Sequence, residues 1–353
     1  MLKVAIIFGG MSTEHDISVI SGTSILKNVN KEKYEIFPIY IDKEGKWFEY
    51  KENLEDVKIY QIGELLNKIE PIENIIEYLN KMNCIFPVLH GLYGEDGTMQ
   101  GLFEVLKIPY VGCGVLSSSI SMDKAYTKII FDRAKLKQAK YIYIKKVENR
   151  FIYIDKDFNE INFKLEDLVN KIIDQIKFPL FIKPSNSGSS IGVNKANSID
   201  ELIKSIKCAS EFDNKILVEE GIIGRELECA VMGNEDIKAS CVGEVLSAED
   251  FYSFDSKYKN IKSMTNIPAD INKEAEIKIR NMAKKAFKAV DGKGLARVDF
   301  FIEKDTNEIY INEINTMPGF TNISMYPKLF EFEGISYKNL IDELINLSLS
   351  KIV

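Results

Sequence analysis

The stretch Val4-Ala-Ile-Ile-Phe-Gly-Gly10 decides the fold class of this sequence. Five consecutive apolar residues that end in glycines are typical of a strand buried on both faces of a parallel sheet. A helical pattern follows over about residues 16–28, and strand patterns return at Tyr34–Ile41 and Cys84–Leu89. Because strands and helices alternate, we expect a layered α/β domain at the N-terminus.

Two further segments follow this N-terminal domain. The small-residue run Val115–Ser121 ends the first segment, and a helical pattern begins near Asp123. A length of 353 residues, at about 150 residues per domain, predicts two or three domains. We therefore expect domains at residues 1–122, 123–221 and 222–353.

The central segment predicts strands and helices in alternation. Tyr141–Ile144 and Phe151–Ile154 are β-rich runs that fit a hairpin, although a helix-to-strand link also fits them. A helical pattern covers Leu165–Ile176, and strand patterns cover Leu180–Lys183 and Ile191–Val193.

The last segment predicts a second sheet with helices. Its elements, in chain order, are strands at Glu226–Met232 and Ser240–Leu246, a polar loop at residues 249–268, a helix at Lys273–Val290, paired strands at Val298–Ile302 and Ile309–Ile314, and a helix over about residues 338–349.

Composition excludes several classes of protein. Apolar residues make up 45% and charged residues 28%, which argues against a disordered chain. The net charge is −7 with both signs well mixed, so we expect no nucleic-acid partner. No run approaches the ~20 apolar residues of a membrane span, and Val4–Phe8 is too short for a signal-peptide core. We therefore expect a cytoplasmic protein without a membrane partner.

The cysteines predict neither disulfides nor a metal cage. No two of them form a CxxC pair, and their odd number and wide scatter are typical of reduced, buried thiols in a cytosolic protein. They are Cys84, Cys113, Cys208, Cys229 and Cys241.

Acidic residues on the two paired strands form the strongest candidate site. Glu313 and Asn315 are two residues apart, so they share one strand face, and Asp299 lies across from them if the register permits. Three oxygen-bearing side chains on one face suit Mg²⁺, which prefers hard oxygen ligands together with substrate phosphates. The alternative is a solvated polar face on a surface hairpin, which the apolar neighbours Phe300 and Ile314 argue against.

A second candidate is the segment Lys183-Pro-Ser-Asn-Ser-Gly-Ser-Ser190. A cation at a strand end followed by small residues predicts a phosphate cradle, because backbone amides can approach the anion closely. The segment lacks the G-x-x-x-x-G-K-[ST] form of a P-loop, and a plain surface turn is the alternative.

A third candidate is Phe8-Gly-Gly-Met-Ser-Thr-Glu-His-Asp16, where a strand, glycines and a helix succeed one another. Such an arrangement can bind phosphate, but Glu14 and Asp16 place negative charge at that position. The two carboxylates are either helix-capping groups or, for Glu14, a site for a substrate ammonium. The only histidines are His15 and His90, and the residues alone favour a structural role for each.

Together these pieces resemble the D-alanine–D-alanine ligases, within the ATP-grasp enzymes. The resemblance spans nearly the whole chain, and its motifs occur in the family's order. They are Gly9–His15, His90–Gly97, Asp123-Lys124, Lys183–Ser190, Gly294–Phe300 and Asn312–Phe320. The resemblance implies three α/β domains, in which an N-terminal layered domain joins central and C-terminal α+β domains that clasp ATP.

The resemblance also implies nucleotide and metal ligands. Lys124 and Lys183 correspond to the lysines that contact ATP phosphates, Glu219 and Glu226 to the adenosine-side acids, and Glu220 to Ile222 to the backbone that lines adenine. Asp299, Glu313 and Asn315 correspond to the ligands of two Mg²⁺ ions, for which Mn²⁺ can substitute.

On the substrate side, the resemblance implies a hydrogen-bonded trio of Glu14, Ser189 and Tyr258 that joins the substrate site to the loop over 249–268. It further implies that Arg297 and the amide of Gly319 stabilise the oxyanion, that Lys257 meets phosphate, that Ser324 binds the second substrate's carboxylate, and that His90 lies in the site. The loop departs locally from the family, since Phe251-Tyr-Ser-Phe254 stands where Phe-Tyr-Asp-Tyr is frequent.

The implied activity is ATP-dependent ligation of two D-alanines through an acyl phosphate, for peptidoglycan precursors, by a homodimer. Two alternatives remain: a ligase that joins D-alanine to D-serine or D-lactate, and a non-catalytic nucleotide-binding regulator on this fold. Ser324-Met-Tyr-Pro327 favours D-alanine as second substrate, because Met325 stands where the ligases that make other termini carry arginine.

Overall fold

The computed structural model describes residues 1–188, 191–246, 264–321 and 323–350. The described helices are α1 (His15–Asn28), α2 (Ile75–Leu79), α3 (Thr98–Val105), α4 (Val115–Met122), α5 (Lys124–Arg133), α6 (Leu165–Gln175), α7 (Ile199–Phe212), α8 (Lys273–Ala289), α9 (Met325–Phe332) and α10 (Tyr337–Leu349).

The N-terminal sheet is built around the stretch that predicted it. Its strands are β1 (Leu2–Gly9), β2 (Tyr34–Ile41), β3 (Trp47–Tyr50), β4 (Ile69–Pro71) and β5 (Cys84–Val88). The spatial order is β4-β3-β2-β1-β5, and β1 pairs in parallel with both β2 and β5. Residues 4–8 are at most 1% exposed, which confirms a strand covered on both faces.

A six-stranded sheet forms the middle of the chain. Its strands are β6 (Tyr141–Val147), β7 (Arg150–Ile154), β8 (Glu160–Phe163), β9 (Leu180–Pro184), β10 (Asn194–Ala196) and β11 (Lys215–Glu220). The order is β10-β9-β11-β6-β7-β8, and β6 pairs antiparallel with β7, so the hairpin interpretation is confirmed.

A five-stranded sheet forms the last third. Its strands are β12 (Gly224–Gly233), β13 (Lys238–Leu246), β14 (Met264–Asn266), β15 (Gly294–Glu303) and β16 (Ile309–Asn315), in the order β14-β13-β12-β15-β16. The three sheets and their helices confirm the expected mixed α/β architecture. None of the described helices is long and apolar enough to cross a bilayer.

Two expectations about local structure were wrong, and one helix was missed. The strand predicted at Ile191–Val193 instead covers Asn194–Ala196, because Gly192 adopts a φ of +72° that ends any extended run. The polar loop expected over residues 249–268 includes strand β14 at Met264–Asn266. Helix α9 was not predicted, although it buries Tyr326 and Phe330 on one face.

The apolar cores join the chain ends and leave the middle sheet separate. One core combines N-terminal residues such as Phe86 with C-terminal residues such as Phe320, whose ring centroids lie 5.8 Å apart. A second core joins α5 and α8 to the last sheet, and includes Phe131 and Phe287. A third core is confined to residues 142–218.

Helix α1 packs against β1 at a glycine. A Cβ atom at Gly22 would lie 2.5 Å from Cβ of Phe8, a core residue with no exposed surface. In helix α3, by contrast, a Cβ at Gly101 would meet no heavy atom within 4 Å.

These two helix-interior glycines give opposite predictions. Gly22→Ala should lower the free energy of unfolding by about 1–3 kcal/mol, because overpacking outweighs the gain in helix propensity. Gly101→Ala, the matched control, should raise it by about 0.5–1 kcal/mol. Urea or thermal unfolding of both variants measures this, and a stabilising Gly22→Ala would contradict the close packing of α1 on β1.

Candidate active site

A cavity of about 700 Å³ lies between the middle sheet and the last sheet and reaches the N-terminal domain. Phe181 and Ile222 line one wall, and Phe301 and Ile311 line the opposite wall. Apolar walls of this kind suit a flat ring system such as a purine, whereas the polar end of the cavity carries the charged side chains.

Three carboxylates stand in a row across the last sheet. The strand register places Glu228 on β12 opposite Asp299 on β15, and Asp299 opposite Glu313 on β16. The Arg297 guanidinium makes a two-pronged ion pair with Asp299, with both N–O distances at 2.7 Å, and its Nε lies 3.1 Å from Glu228. Burial lowers the pKa of Arg297, but Asp299 and Glu228 raise it well above its usual value, so the guanidinium stays charged.

The same face has the donor chemistry of a magnesium site. Asn315 is opposite Arg297 in the register, and its Nδ2 donates to Asp299 at 3.0 Å. Two carboxylates and an amide oxygen fit the hard-oxygen preference of Mg²⁺, which is usually completed by substrate phosphates.

Two predicted phosphate lysines enter the cavity from different elements. Lys124 begins α5, and its Nζ donates to the carbonyl of Ser187 at 2.6 Å. Lys183 lies one residue before the end of β9, and its Nζ lies 2.5 Å from Oε2 of Glu219. Burial raises the pKa of the Glu219 carboxyl, but Lys128 and Lys183 outweigh burial and lower that pKa to about 2.

A hydrogen-bond network fixes the start of α5 against residues 184–188, the described part of the Ser/Gly-rich segment that follows Lys183. The Asp123 side chain caps the helix and accepts a hydrogen bond from the Ser185 hydroxyl at 2.5 Å. The same carboxylate forms an ion pair with Lys215. The backbone amide of Ala125 donates to the same hydroxyl at 2.9 Å. These contacts set the position of Lys124 relative to the segment that follows Lys183.

Glu14 lies where the N-terminal domain meets the Ser/Gly-rich segment. A Cβ at Gly91 would be 2.6 Å from the Glu14 carboxylate, and one at Gly188 would be 2.9 Å from it. The side chain makes no capping hydrogen bond in α1, so the capping interpretation of Glu14 is wrong. Its carboxylate lines the cavity instead, as an ammonium site requires.

His90 connects the N-terminal domain to the segment after β16. Its Nδ1 lies 3.0 Å from the carbonyl of Met317, which can only accept, and its Nε2 lies 3.0 Å from the Ser21 hydroxyl. Burial lowers the pKa of the imidazole, so the neutral ring donates through Nδ1. The Ser21 hydroxyl in turn accepts from the amide of Phe320 at 3.2 Å.

Glu95 is a cavity residue that sequence reasoning missed. Its carboxylate accepts hydrogen bonds from the amides of Gly91 at 2.8 Å and Met317 at 3.2 Å. Burial, followed by the nearby Glu14 carboxylate, raises the pKa of Glu95 to about 8. Only its place between His90 and Gly97 in the quoted motif pointed to it.

The structure brings most of the predicted site residues to one cavity. Its lining includes Glu14, His90, Lys124, Lys183, Glu219, Glu220, Ile222, Glu226, Arg297, Glu313, Asn315 and Gly319. Asp299 lies behind this surface, bound to Arg297. Ser189, Lys257 and Tyr258, with most of the loop over 249–268, lie outside the described residues.

The residues predicted to contact the second substrate lie beside the cavity wall. A Cβ at Gly319 would be 2.8 Å from Oγ of Ser324, so these two residues are neighbours. Met325 is buried in the core, 2.6 Å from the position of a Cβ at Gly243. Its influence on the choice of second substrate stays a prediction.

Comparison with known proteins assigns this arrangement to a family. Residues 3–113 match the D-ala D-ala ligase N-terminus family, and residues 138–346 match the D-ala D-ala ligase C-terminus family. The chain is 47% identical to a D-alanine–D-alanine ligase of Acetivibrio thermocellus, over 99% of this chain and 96% of the relative. It is 48% identical to D-alanine–D-alanine ligase B of Clostridium tetani, over 99% and 94%.

The chain belongs to the D-alanine–D-alanine ligase family. Solved structures agree with this assignment. The D-alanine-D-alanine ligase from Coxiella burnetii is 33% identical with a TM-score of 0.84, over 99% of this chain and 94% of that one. The VanG D-Ala:D-Ser ligase from Enterococcus faecalis is 34% identical with a TM-score of 0.83, over 98% and 99%. The Bacillus anthracis ligase complexed with ATP is 28% identical with a TM-score of 0.74, over 99% and 98%.

The raised pKa of Glu95 predicts a pH-dependent stability. An unfolded glutamate loses its proton near pH 4.3, whereas folded Glu95 keeps it until about pH 8. Between these values the folded state binds the extra proton, so this carboxyl makes the wild type less stable as pH rises. Glu95→Gln removes that contribution.

We therefore expect the free energy of unfolding of Glu95→Gln, minus that of the wild type, to increase from about pH 5 to about pH 8 and then level off. Urea titrations at several pH values measure the difference, in which the titrations of groups that do not interact with Glu95 cancel. A constant difference over this range would show that Glu95 titrates normally.

Proposed function

We propose that this ATP-dependent ligase joins two D-alanines into D-alanyl-D-alanine, for peptidoglycan precursors, and that the cavity residues carry the reaction. The observation that supports the site assignment is one cavity that holds the lysines, the carboxylate row and the N-terminal residues Glu14 and His90 together. Such a cavity can bind ATP and an amino acid at the same time, as a ligase must.

The proposed reaction begins with transfer of the ATP γ-phosphoryl group to the carboxylate of the first D-alanine. A carboxylate is a poor electrophile until it is phosphorylated. The amine of the second D-alanine then attacks the acyl phosphate carbon, loses a proton, and the tetrahedral intermediate collapses to dipeptide and phosphate. Closure of the loop over 249–268 would keep water from the acyl phosphate.

In this scheme the chain's own residues orient the substrates and neutralise their charges. Glu14 binds the ammonium of the first D-alanine, and Lys124 and Lys183 bind the ATP phosphates. Arg297 and the amide of Gly319 stabilise the oxyanion, since fixed charges and dipoles are worth most in a site without water. Glu219, Glu226 and the backbone of Glu220 to Ile222 hold the adenosine, while Ser324 binds the second carboxylate.

Asp299, Glu313 and Asn315 would hold two Mg²⁺ ions, or Mn²⁺ in their place. When bound, such ions neutralise phosphate charge and align the transferred group. The carboxylate row and the Asn315 amide support this proposal. Ser189, Tyr258 and Lys257 would complete the site from residues that the structure leaves undescribed.

D-alanine is the favoured second substrate. The curated relatives at 47% and 48% identity are named for two D-alanines, whereas the D-Ala:D-Ser ligase is 34% identical. We further propose the division at 1–122, 123–221 and 222–353, residence in the cytoplasm and a homodimer. Val105 and Leu116, on α3 and α4, are 80% and 59% exposed and are candidates for the dimer surface.

Product analysis tests the ligase and its specificity. With ATP, Mg²⁺ and D-alanine, we expect phosphate and dipeptide in equal amounts. With D-serine or D-lactate at the same concentration as D-alanine, D-alanyl-D-alanine should predominate, although an apolar site rejects an added hydroxyl by only about 100-fold. Mass spectrometry resolves the products, and an excess of mixed product would place the protein with the alternative ligases.

Variants of the carboxylate row test the metal proposal. Glu313→Ala should reduce turnover by about 100-fold or more at limiting Mg²⁺ while the protein stays folded, because a ligand is lost from the strand face. Asp299→Ala should reduce turnover and stability, because it also leaves buried Arg297 without its main partner.

The exposed Glu308, in the turn between β15 and β16, provides the control, because it pairs with Lys137 and Tyr310 and is not among the residues that line the cavity. Glu308→Ala should alter neither turnover nor its dependence on Mg²⁺. Steady-state rates over a Mg²⁺ titration distinguish the variants. Wild-type turnover of Glu313→Ala at limiting Mg²⁺ would refute the ligand assignment.

A further inference from the structure

Lys128 is a buried lysine to which the proposed reaction gives no role. It lies on α5 with its side chain 4% exposed, and its Nζ is 2.6 Å from Oε1 of Glu219. The other oxygen of that carboxylate, Oε2, is 2.5 Å from Nζ of Lys183. Each oxygen of Glu219 therefore receives one lysine, and all three side chains are at most 15% exposed.

Glu219, Lys128 and Lys183 together carry a net charge of +1. Burial lowers the pKa of Lys183, but Glu219 raises it, and the carboxylates of Glu313 and Glu226 also raise it. The polyphosphate of ATP would give that ammonium a further anionic partner. Lys183 is the member proposed to contact the phosphates. When its ammonium turns toward a phosphate oxygen, Glu219 loses one of its two partners, and a buried carboxylate without a partner is strongly unfavourable.

We propose that Lys128 is a positioning residue that keeps Glu219 paired and in place, so that Lys183 is available to the ATP phosphates. The proposal rests on the proposed role of Lys183 in nucleotide binding. Lys128 acts through Glu219 rather than on ATP itself, since the lining of the cavity includes Lys183 and Glu219 but not Lys128 among the described residues.

The position of Lys128 in the fold suits this role. Lys124 and Lys128 are four residues apart on α5 and so lie on one face of the helix. Phe131 of the same helix packs in the core of the last sheet, whereas β9 and β11 carry Lys183 and Glu219 in the separate middle sheet. The Lys128–Glu219 ion pair therefore joins the proposed nucleotide-binding strands of the middle sheet to a helix that also packs against the last sheet.

Removal of the Lys128 charge tests the proposal. In Lys128→Met, Glu219 retains only Lys183, so the ammonium should stay on the carboxylate. We expect ATP affinity, measured by calorimetry without D-alanine, to fall by at least about tenfold. KM for ATP should rise in parallel, whereas KM for D-alanine should change by less than about twofold.

Lys146→Met is the matched control. Lys146 lies on β6 of the same sheet, and its Nζ donates to the neutral Ser210 hydroxyl at 3.1 Å. This variant should bind ATP as the wild type does. Equal weakening of ATP binding in both variants would show a general effect of lysine removal and would overturn the proposal.

A double-mutant cycle with Glu219→Gln separates action through Glu219 from direct contact with ATP. Without the carboxylate, Lys128→Met should cost less than about threefold in ATP affinity. A full tenfold loss in the Glu219→Gln background would show that Lys128 acts on the nucleotide directly and would overturn the proposal. Lys128→Gln is measured in parallel, and failure of both Lys128 variants to fold would assign the residue a purely structural role instead.

The binding measurement is independent of product formation. If the wild type binds ATP but forms no D-alanyl-D-alanine, the proposed function fails, whereas the pattern of ATP affinities still decides on Lys128. If the ligase activity is present and Lys128→Met binds ATP normally, the proposed function stands and the role of Lys128 is refuted.

Discussion

One guanidinium holds the carboxylates at the charged end of the cavity together. Glu228, Asp299 and Glu313 belong to three adjacent strands and stand directly opposite one another in the register. Like charges at such spacing repel, more strongly in a buried site than in water. Arg297 lies among them and remains charged, so the carboxylates hold their places before any ligand arrives. The site is preorganised, and binding need not assemble it.

The same preorganisation extends to the N-terminal domain through the backbone that follows β16. Met317 is held at its carbonyl by His90 and at its amide by Glu95, and the amide of Phe320 is held by Ser21. Pairing of β16 with β15 fixes the other end of this segment. The last sheet and the N-terminal domain therefore have a defined separation, as the proposed transfer between two bound substrates requires.

The sequence predicted those parts of the site that depend on residues close together in the chain, and missed those that depend on contacts between distant segments. Alternation along a strand was enough to place Glu313 and Asn315 on one face and to suggest Asp299 across from them. Glu228 was not predicted, because its place beside Asp299 and Glu313 depends on the register of three strands. Lys128 was not predicted, because a lysine in a helical pattern is expected to be exposed to solvent, and only the tertiary packing of α5 buries it. The residue roles that local sequence patterns left open came from the family resemblance, which rests on the order of the motifs.

The distribution of the apolar cores constrains how ligands enter. The N-terminal and C-terminal parts of the chain share one core, in which the rings of Phe86 and Phe320 are in contact. Nearby, Sγ of Cys84 on β5 lies 3.0 Å from Oγ of Ser348 on α10. The middle sheet has a core of its own. Separating the first and last sheets would expose the apolar surface that they share, whereas the middle sheet shares no apolar core with either of them among the described residues. Movement of the middle sheet is therefore the way of opening the cleft that exposes the least apolar surface.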